Sequence, residues 1–492
     1  MQQKTLLEKI QWVLWGLLIF SLPITSFPLV TGLAGGSMVG PASLIPLVGL
    51  LLIWGLPFVL KGGALPRQVV PLFAFLLAAL ISSLRSFFLA IPPFQSAQVW
   101  RQVLEGVGTL LIGVGFFTVS AAWPITEQRL QKTLRWVNWS GLAVLLWSLL
   151  QDAVWEIYVG WPAWVRAIQG VFSSGTLFRD RVVGFTYEPS WLAHQLVMLY
   201  LPMWLAATVL KQSAHPKKLL GLSLENLLLA GAVFLLYLSK SRLGLLAFLL
   251  CAAFLLFEYS LKMATWLRSK FRNAKAKRWA VAGFYLGLLL LLIFVLLGSG
   301  YYLSRADPRM QQFFDLQTLR EKSFLEYAEQ LAFSARIVYW QAGWEVFGEQ
   351  PWLGVGLGNA GFYFYDKLDP YAWKLIEVRN YMFNFTSPPN IKSLWMRLLA
   401  ETGIIGFTFW AVWLLQLLLT TFVLRRKSAP LQRRLGLSAL LTLVALLVDG
   451  FSLDTFALPY YWVSFGLMVA AFSLPTHALP ATEEQPAEEI LN

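Results

Sequence analysis

Apolar runs that are nearly free of charge recur along the chain and alternate with short polar segments. Each run holds about 20 residues, enough to cross the hydrocarbon core of a bilayer as an α-helix. The pattern predicts an all-α polytopic membrane protein with about twelve transmembrane helices. The predicted spans are residues 10–33, 41–60, 69–92, 103–123, 136–155, 190–210, 219–238, 242–261, 280–300, 395–423, 436–453 and 457–474.

One connecting segment, residues 301–391, is far longer than an ordinary connection between helices. Aromatic and aliphatic residues recur at intervals of three and four through residues 309–347, which indicates helix. We therefore expect a helical cap on the outer face of the bundle. The predicted organisation is a membrane bundle at 1–300 with spans one to nine, an extracytoplasmic helical cap loop at 301–391, spans ten to twelve at 392–475, and a disordered cytoplasmic tail at 476–492.

Composition and charge support a membrane protein and indicate its orientation. Hydrophobic residues make up 57% of the chain and charged residues 13%, whereas soluble domains carry about 25% charge. The formal charge of +13 comes from Lys and Arg clustered in alternate loops, which is typical of cytoplasmic loops. We therefore expect a multi-pass membrane protein with both termini in the cytoplasm, in contact with membrane lipid and with no nucleic-acid partner.

Residues that commonly bind metals or form disulfides are sparse. Cys251 is the single cysteine, and His194, His215 and His477 are far apart in the sequence. A disulfide within the chain is excluded, and neither residue type is spaced for a metal site. We expect no cofactor and no metal.

Gly356, Gly358 and Gly361 spell G-x-G-x-x-G, the glycine pattern of a dinucleotide-binding turn. That fingerprint requires a strand before the first glycine. Here the glycines follow a helical pattern that ends at Gln350-Pro351, inside a predicted outer loop. We therefore expect a flexible turn at the end of a cap helix, not a nucleotide site.

Several cations lie at the predicted outer boundary, against the usual charge bias. An individual Lys or Arg there could simply extend its charge to the lipid headgroups. Together they favour a site for a polyanion such as a lipid-linked diphosphate, which arginine binds through two hydrogen bonds. These residues are Arg85, Arg101, Arg179, Arg181, Lys240, Arg242, Arg336, Lys392 and Arg397.

Glu188 is the carboxylate of most interest, because Pro189 after it favours the start of a helix. Its side chain could cap that helix, or it could act as a general base at the mouth of the site. His194, farther along the same span, fits core packing or a polar hydrogen bond better than catalysis. Asp449 and Asp454 are more typical of helix-end caps.

Three segments resemble the O-antigen ligase-like superfamily of bacterial envelope polysaccharide ligases and polymerases. The first is RVVGFTYEPSWLAHQL at 181–196, and the second is SKSRLGLLAFLL at 239–250. The third runs from SARIVYWQAGWEVFGEQPWLGVGLGN at 334–359 to SLWMRLLAETGIIGF at 393–407. It contains R-x3-W-x6-F-x3-P-x2-G-x-G from Arg336 to Gly356 and L-x-E-x-G-x-x-G from Leu399 to Gly406.

The resemblance implies an integral-membrane glycosyltransferase of the GT-C type that lies in the bacterial cytoplasmic (inner) membrane and needs no metal. Its donor would be an undecaprenyl-diphosphate-linked oligosaccharide, its acceptor a glycan, and its product O-antigen, exopolysaccharide or capsule, made with inversion on the outer face of the membrane. Polysaccharide export or chain-length proteins are candidate partners. Arg181, Arg242 and Arg336 would stabilise the leaving diphosphate, and the candidate substrate-binding residues are Arg179, Lys240, Ser241, Trp340, Lys392 and Arg397.

The chain departs from the ligase pattern at one position. Ligases usually carry His-Asn eight to nine residues before the Glu of the E-x-G motif, and that histidine is their proposed base. Here the pair is Lys392-Ser393. The lysine fits phosphate or acceptor binding, which leaves Glu188 as the candidate base and favours a polymerase or related transferase over a ligase.

Two other functions remain open from the sequence. Some superfamily members are regarded as bicarbonate carriers, so one alternative is a membrane transporter of a small anion. Carriers place their charges near the bilayer midplane, often in related halves, whereas here the cations lie at one face. The other is a flippase or structural subunit, which would need no base.

Overall fold

The computed structural model describes residues 5–33, 39–271, 273–306, 324–330 and 333–475, and this part of the chain is almost entirely helical. A hairpin of two-residue strands, β1 (Lys218–Leu219) and β2 (Leu222–Ser223), pairs antiparallel. The helices are α1 (Leu6–Ser21), α2 (Pro28–Leu33), α3 (Leu44–Leu60), α4 (Arg67–Phe88), α5 (Val99–Ala122), α6 (Glu127–Tyr158), α7 (Ala163–Phe172), α8 (Pro189–Val209), α9 (Leu224–Leu238), α10 (Arg242–Lys270), α11 (Ala274–Ala306), α12 (Phe324–Gln330), α13 (Ser334–Glu349), α14 (Phe364–Lys367), α15 (Ile376–Asn384), α16 (Leu394–Arg425), α17 (Pro430–Asp449) and α18 (Tyr460–Phe472).

Each of the twelve predicted spans overlaps one of these helices. Among the described residues, seven helices are long and apolar enough to cross a membrane, namely α4, α5, α8, α10, α11 up to Phe294, α16 and α17. Three shorter apolar helices, α3, α9 and α18, accompany them. The protein is therefore an all-α membrane protein, and the count of twelve spans stays a prediction.

The first predicted span, residues 10–33, is wrong as a continuous helix. Helix α1 ends at Ser21, and the chain is helical again only from Pro28. The break is a packed structure, because Ser26 pairs with Gly40 in a parallel bridge and the Gly40 N–H donates to Thr25 O at 3.0 Å. Proline at positions 23 and 28 interrupts the helical hydrogen bonds here.

Helices α8, α17 and α18 form the buried centre of the bundle. Helix α8 contains a π turn at Leu196–Tyr200. The Met198 carbonyl in that turn accepts hydrogen bonds from Thr442 Oγ1 at 3.2 Å and Ser464 Oγ at 2.8 Å. The two neighbouring helices thus fix the rotation of α8.

A buried ion pair joins α9 to α17 at the end of the bundle opposite the cap. Arg434 Nη2 lies 3.3 Å from Glu225 Oε1, and both side chains are almost fully buried. The same carboxylate accepts hydrogen bonds from Asn138 Nδ2 at 3.0 Å and from the Ala214 N–H at 2.7 Å. Because its oxygens are hydrogen-bonded, the charge is tolerated inside the protein.

The predicted cap is helical in its described part, as α12 to α15 and two 3-10 turns. Residues 307–323 of the predicted cap helix, and the predicted tail at 476–492, lie outside the described residues. The cap has its own buried cluster, in which Val338, Tyr339 and Val346 of α13 pack against Phe364 and Val378.

Candidate functional site

Several helix ends come together beneath the cap. The Leu394 N–H, at the start of α16, donates to Gly450 O at the end of α17 at 2.7 Å. Gly244, near the start of α10, approaches Ala193 of α8 so closely that an added Cβ would lie 2.7 Å from the alanine Cβ. The starts of α8, α10 and α16 and the end of α17 therefore surround one region, on which α13 and α15 lie.

Arg336 projects from the first turn of α13 into this region. Its Nη1 donates to Ser452 Oγ, in the α17–α18 turn, at 3.0 Å. Burial lowers the pKa of Arg336, and the nearby carboxylates of Asp454, Glu188 and Asp449 oppose that change. The arginine predicted from the sequence therefore lies among three carboxylates from two other parts of the chain.

Lys392 lies beside Arg336 in the loop before α16. Its ammonium pairs with Glu377 and lies 5.4 Å from the ring centre of Tyr339 and 5.2 Å from that of Tyr381. Burial, followed by the charge of Arg336, lowers the pKa of Lys392 to about 8, while Asp454 and Glu188 oppose the change. The backbone is left-handed here, with φ at 57°.

Asp454 is the residue that links these cations, and the sequence interpretation of it as a helix-end cap is wrong. Helix α18 begins six residues later, and Asp454 Oδ2 instead accepts the Lys392 N–H at 3.1 Å. Its carbonyl accepts a hydrogen bond from Arg397, whose Nε also donates to Glu401 at 2.8 Å. Burial raises the pKa of Asp454, and Arg397, Lys392 and Arg336 act in the opposite direction.

Glu188 occupies the N-cap position of α8, but its side chain does not cap the helix. The carboxylate accepts a hydrogen bond from Ser190 Oγ instead. It also lies within electrostatic range of Arg336, Lys392 and Tyr381. The interpretation of the carboxylate as a hydrogen-bonding helix cap is therefore wrong.

Arg181 and the α9–α10 turn form a neighbouring group. Arg181 Nε donates to Ser239 O at 2.9 Å. Lys240 pairs with the exposed Asp180 at 2.9 Å, and Arg179 is exposed.

The remaining predicted residues near this turn lie at the start of α10. Ser241 Oγ caps the helix through the Gly244 N–H at 3.4 Å, and Arg242 is the first helical residue. Direct participation of Arg181 and Arg242 with Arg336 stays a prediction, as do the binding roles of Arg179, Lys240 and Ser241.

Trp340, on the cap helix α13, packs beside the site. Its ring packs against Phe333 and Phe451, with ring centres 5.3 and 5.5 Å apart. Its Nε1 donates to Lys392 O at 3.4 Å. The tryptophan four residues after Arg336 therefore supports the loop that carries Lys392. Substrate contact by Trp340 stays a prediction.

The glycine turn at 354–358 is a turn, as predicted, but it is packed rather than flexible. Gly354, Gly356 and Gly358 all have positive φ. The N–H groups of Val355 and Gly356 donate to the Ala400 and Glu401 carbonyls of α16 at 3.0 and 2.9 Å.

Those two carbonyls are available because α16 is kinked at Gly403, where φ is 62° and ψ is −171°. The two halves of the sequence signature therefore pack directly on each other. Gly356 serves this backbone contact, and a Cβ at Gly358 or Gly361 would clash with the Gln102 or the Pro389 carbonyl. Close backbone packing therefore accounts for the G-x-G-x-x-G pattern without a nucleotide.

Of the other two cations predicted at the outer boundary, one is held by the structure. Arg85 donates to Gly354 O at 3.1 Å and to Gln350 Oε1 at 2.7 Å, so it fixes the same turn, whereas Arg101 is exposed. Among the described residues, no three side chains of His, Cys, Asp or Glu form a set that could hold a metal ion.

Comparison with protein-family models matches residues 227–411 to the O-antigen ligase family. The matched region runs from α9 into α16 and includes Arg242, Arg336, Lys392, Arg397 and the glycine turn. No curated protein matches the chain. The match covers residues 227–411 and supports an O-antigen ligase-like superfamily assignment. It does not support the transporter alternative.

Proposed function

We propose, from this assignment to the O-antigen ligase-like superfamily, that the protein is a metal-independent glycosyltransferase that extends or transfers undecaprenyl-diphosphate-linked glycan. A hydroxyl oxygen of the acceptor glycan attacks the anomeric carbon of the donor. The bond from that carbon to the diphosphate oxygen breaks, and the electron pair leaves with the polyprenyl diphosphate. Attack from the face opposite the leaving group inverts the anomeric centre.

The observation that carries this proposal is the convergence of Arg336 and Lys392 at one buried site. Positive charge placed where negative charge develops is among the strongest catalytic contributions, because the site does not reorganise during the reaction. Arg336 comes from the cap and Lys392 from the loop before α16, yet Asp454 and Ser452 hold them together. A diphosphate leaving group matches this charge.

Glu188 is the proposed general base. Its carboxylate lies within electrostatic range of the same cations and accepts a hydrogen bond from Ser190. It would take the proton of the acceptor hydroxyl as the glycosidic bond forms. Lys392 is more useful as a cation than as a base, because it lies next to the site where the diphosphate charge would develop.

The proposed reaction takes place on the outer face of the cytoplasmic membrane, with both termini in the cytoplasm. Replacement of the ligase His-Asn pair by Lys392-Ser393 favours a polymerase or related transferase. A polymerase would release its product to export or chain-length proteins, which are therefore the proposed partners.

The decisive experiment replaces Arg336 with alanine in protein purified into lipid vesicles and supplied with a polyprenyl-diphosphate oligosaccharide. We expect turnover to fall by about 10²–10³-fold, because a transition-state charge contact is lost. Arg379→Ala is the matched control, since Arg379 lies on an exposed face of the same cap. Full turnover by correctly inserted Arg336→Ala would exclude the proposed site.

A second measurement addresses the transporter alternative. Vesicles that contain the native protein are tested for uptake of labelled bicarbonate in the absence of any glycan donor. We expect no uptake above that of empty vesicles. Uptake that Arg336→Ala abolishes, with no glycan transfer by the native protein, would favour the carrier.

A further inference from the structure

A buried hydrogen bond joins α8 to α17 beneath the candidate site. His194 Nδ1 lies 2.5 Å from Asp449 Oδ2, and the side chains are 3% and 0% exposed. The other carboxylate oxygen of Asp449 has no hydrogen-bond partner among the described residues. Because an unpaired buried carboxylate is costly, Asp449 depends on His194. The expectation that Asp449 is a helix cap is wrong for its side chain, whereas the expected polar hydrogen bond of His194 is confirmed.

The π turn of α8 follows directly after this contact. A π turn adds a residue to one helical turn, so it changes which side chains face a neighbouring helix. The turn begins at Leu196, and the hydroxyls of Thr442 and Ser464 hold its Met198 carbonyl. Helices α17 and α18 therefore fix the register of α8 just below His194.

His194 is connected to one half of the site through its own helix. Glu188, the proposed base, is the N-cap of α8, six residues before His194. Ala193, next to the histidine, contacts Gly244 near the start of α10. A shift of His194 relative to α17 would move the start of α8, and Glu188 with it.

Asp449 is connected to the other half of the site. It is the last residue of α17, and its carbonyl accepts the Ser452 N–H at 2.8 Å. Ser452 holds Arg336, and Asp454 in the same turn holds Lys392. The α17–α18 turn, which carries Ser452 and Asp454, therefore begins at Asp449, the hydrogen-bond partner of His194.

We propose that His194, through its hydrogen bond to Asp449, is a positioning residue that sets the distance between Glu188 and the cations Arg336 and Lys392. This inference rests on the proposed glycosyltransferase function. A base and the charges that stabilise a leaving group must be placed together, and an error of about 1 Å can cost about 10²-fold in rate. The hydrogen bond between His194 and Asp449 links α8, which begins at Glu188, to α17, which leads into the turn that holds Arg336 and Lys392.

The test compares His194→Phe with His194→Asn in vesicles, using the donor assay described above. We expect kcat of His194→Phe to fall about 10²-fold with the KM for donor changed by less than about threefold, because geometry is lost but the cations remain. The Asn variant places its Nδ2 where His194 Nδ1 stands, so it keeps a donor for Asp449 and should recover at least about a tenth of native kcat. His215→Phe, a partly buried histidine at the other end of the bundle, is the matched control.

A double-mutant cycle separates the pair from general damage to packing. Asp449→Leu should cost as much as His194→Phe, and the double variant little more than either one, since both remove one interaction. Fully additive losses, or native kcat in His194→Phe, would overturn the positioning role. Should the phenylalanine variant fail to insert, His194→Ala replaces it and carries the same expectations, because it removes the donor to Asp449 and adds no bulk.

The outcomes of the two proposals are distinguishable. Loss of activity in Arg336→Ala together with native kcat in His194→Phe would refute the positioning role alone. Native activity in Arg336→Ala would refute the proposed function.

Discussion

The Lys392 N–H donates a 3.1 Å hydrogen bond to Asp454 Oδ2, which joins the loop before α16 to the α17–α18 turn. The ammonium of the same lysine pairs with Glu377 of α15 in the cap. One residue thus connects three parts of the site through its backbone and its side chain. Left-handed backbone at Lys392, with φ at 57°, makes this double contact possible.

The first prediction concerns the pH dependence of activity. If cationic Lys392 binds the diphosphate, activity should fall as pH rises through about 8, where its ammonium loses a proton. Arginine stays charged at these pH values, so Lys392→Arg should retain activity to higher pH. Glu377→Gln removes the negative charge that pairs with the ammonium, which should lower the pKa of Lys392 further. The fall in activity should then begin at lower pH. The measurement is kcat/KM from pH 6 to about 10.5.

Stability should change in the opposite direction over the same pH range. The pKa of Lys392 is about 8 in the folded protein and 10.5 ordinarily, so the unfolded chain binds more protons between these values. The free energy of unfolding therefore rises with pH in this window. If activity and stability fell together as pH rises, the loss of activity at alkaline pH would be due to unfolding. That result would contradict the role of Lys392.

The second prediction concerns Glu188. Glu188→Gln should reduce kcat by about 10²–10⁴-fold, since the amide cannot accept the acceptor proton. It should leave the melting temperature near that of the native protein, because the carboxylate does not cap α8. Glu345→Gln, an exposed change on the cap, is the control. Native kcat in Glu188→Gln would assign the proton transfer to another group.

The helices were predictable because their signal is local. A long apolar run in a membrane protein leaves the backbone no alternative to helix, and each predicted span overlaps a helix. The break at residues 22–27 and the kink at Gly403 were not predicted. Each depends on a partner elsewhere in the chain, Gly40 in one case and the glycine turn in the other.

The sequence singled out the cations of the proposed site because they oppose the charge bias expected of the predicted orientation. Their partners were not found, because the contacts join distant segments. Lys392 and Asp454 are 62 positions apart, and His194 and Asp449 are 255 apart. Asp449 and Asp454 are single acidic residues at a short turn, which is a weak sequence signal for a binding site. Their interpretation as helix caps missed that signal.

The third prediction separates stability from catalysis at the other end of the bundle. Arg434→Met leaves Glu225 buried without its charge partner and should cost about 3–5 kcal/mol of unfolding free energy. The double variant Arg434→Met/Glu225→Gln should recover much of that loss. Turnover per folded molecule should stay native in both, because the pair lies far from the cap. Arg433→Met, the half-buried neighbour, is the control.

The last prediction concerns the kink at Gly403. A Cβ there would lie 2.3 Å from Trp352 O, and φ of 62° disfavours any other residue. Gly403→Ala should therefore destabilise the protein by at least about 1–3 kcal/mol, through backbone strain together with displacement of the glycine turn. Gly108→Ala, where nothing lies within 4 Å of the added methyl, should not destabilise it. Thermal unfolding in detergent measures both.

The Gly403 variant should also lose activity before it unfolds, because the carbonyls that hold the turn lie one helical turn from Arg397. Native stability and turnover in Gly403→Ala would show that the turn tolerates a different path.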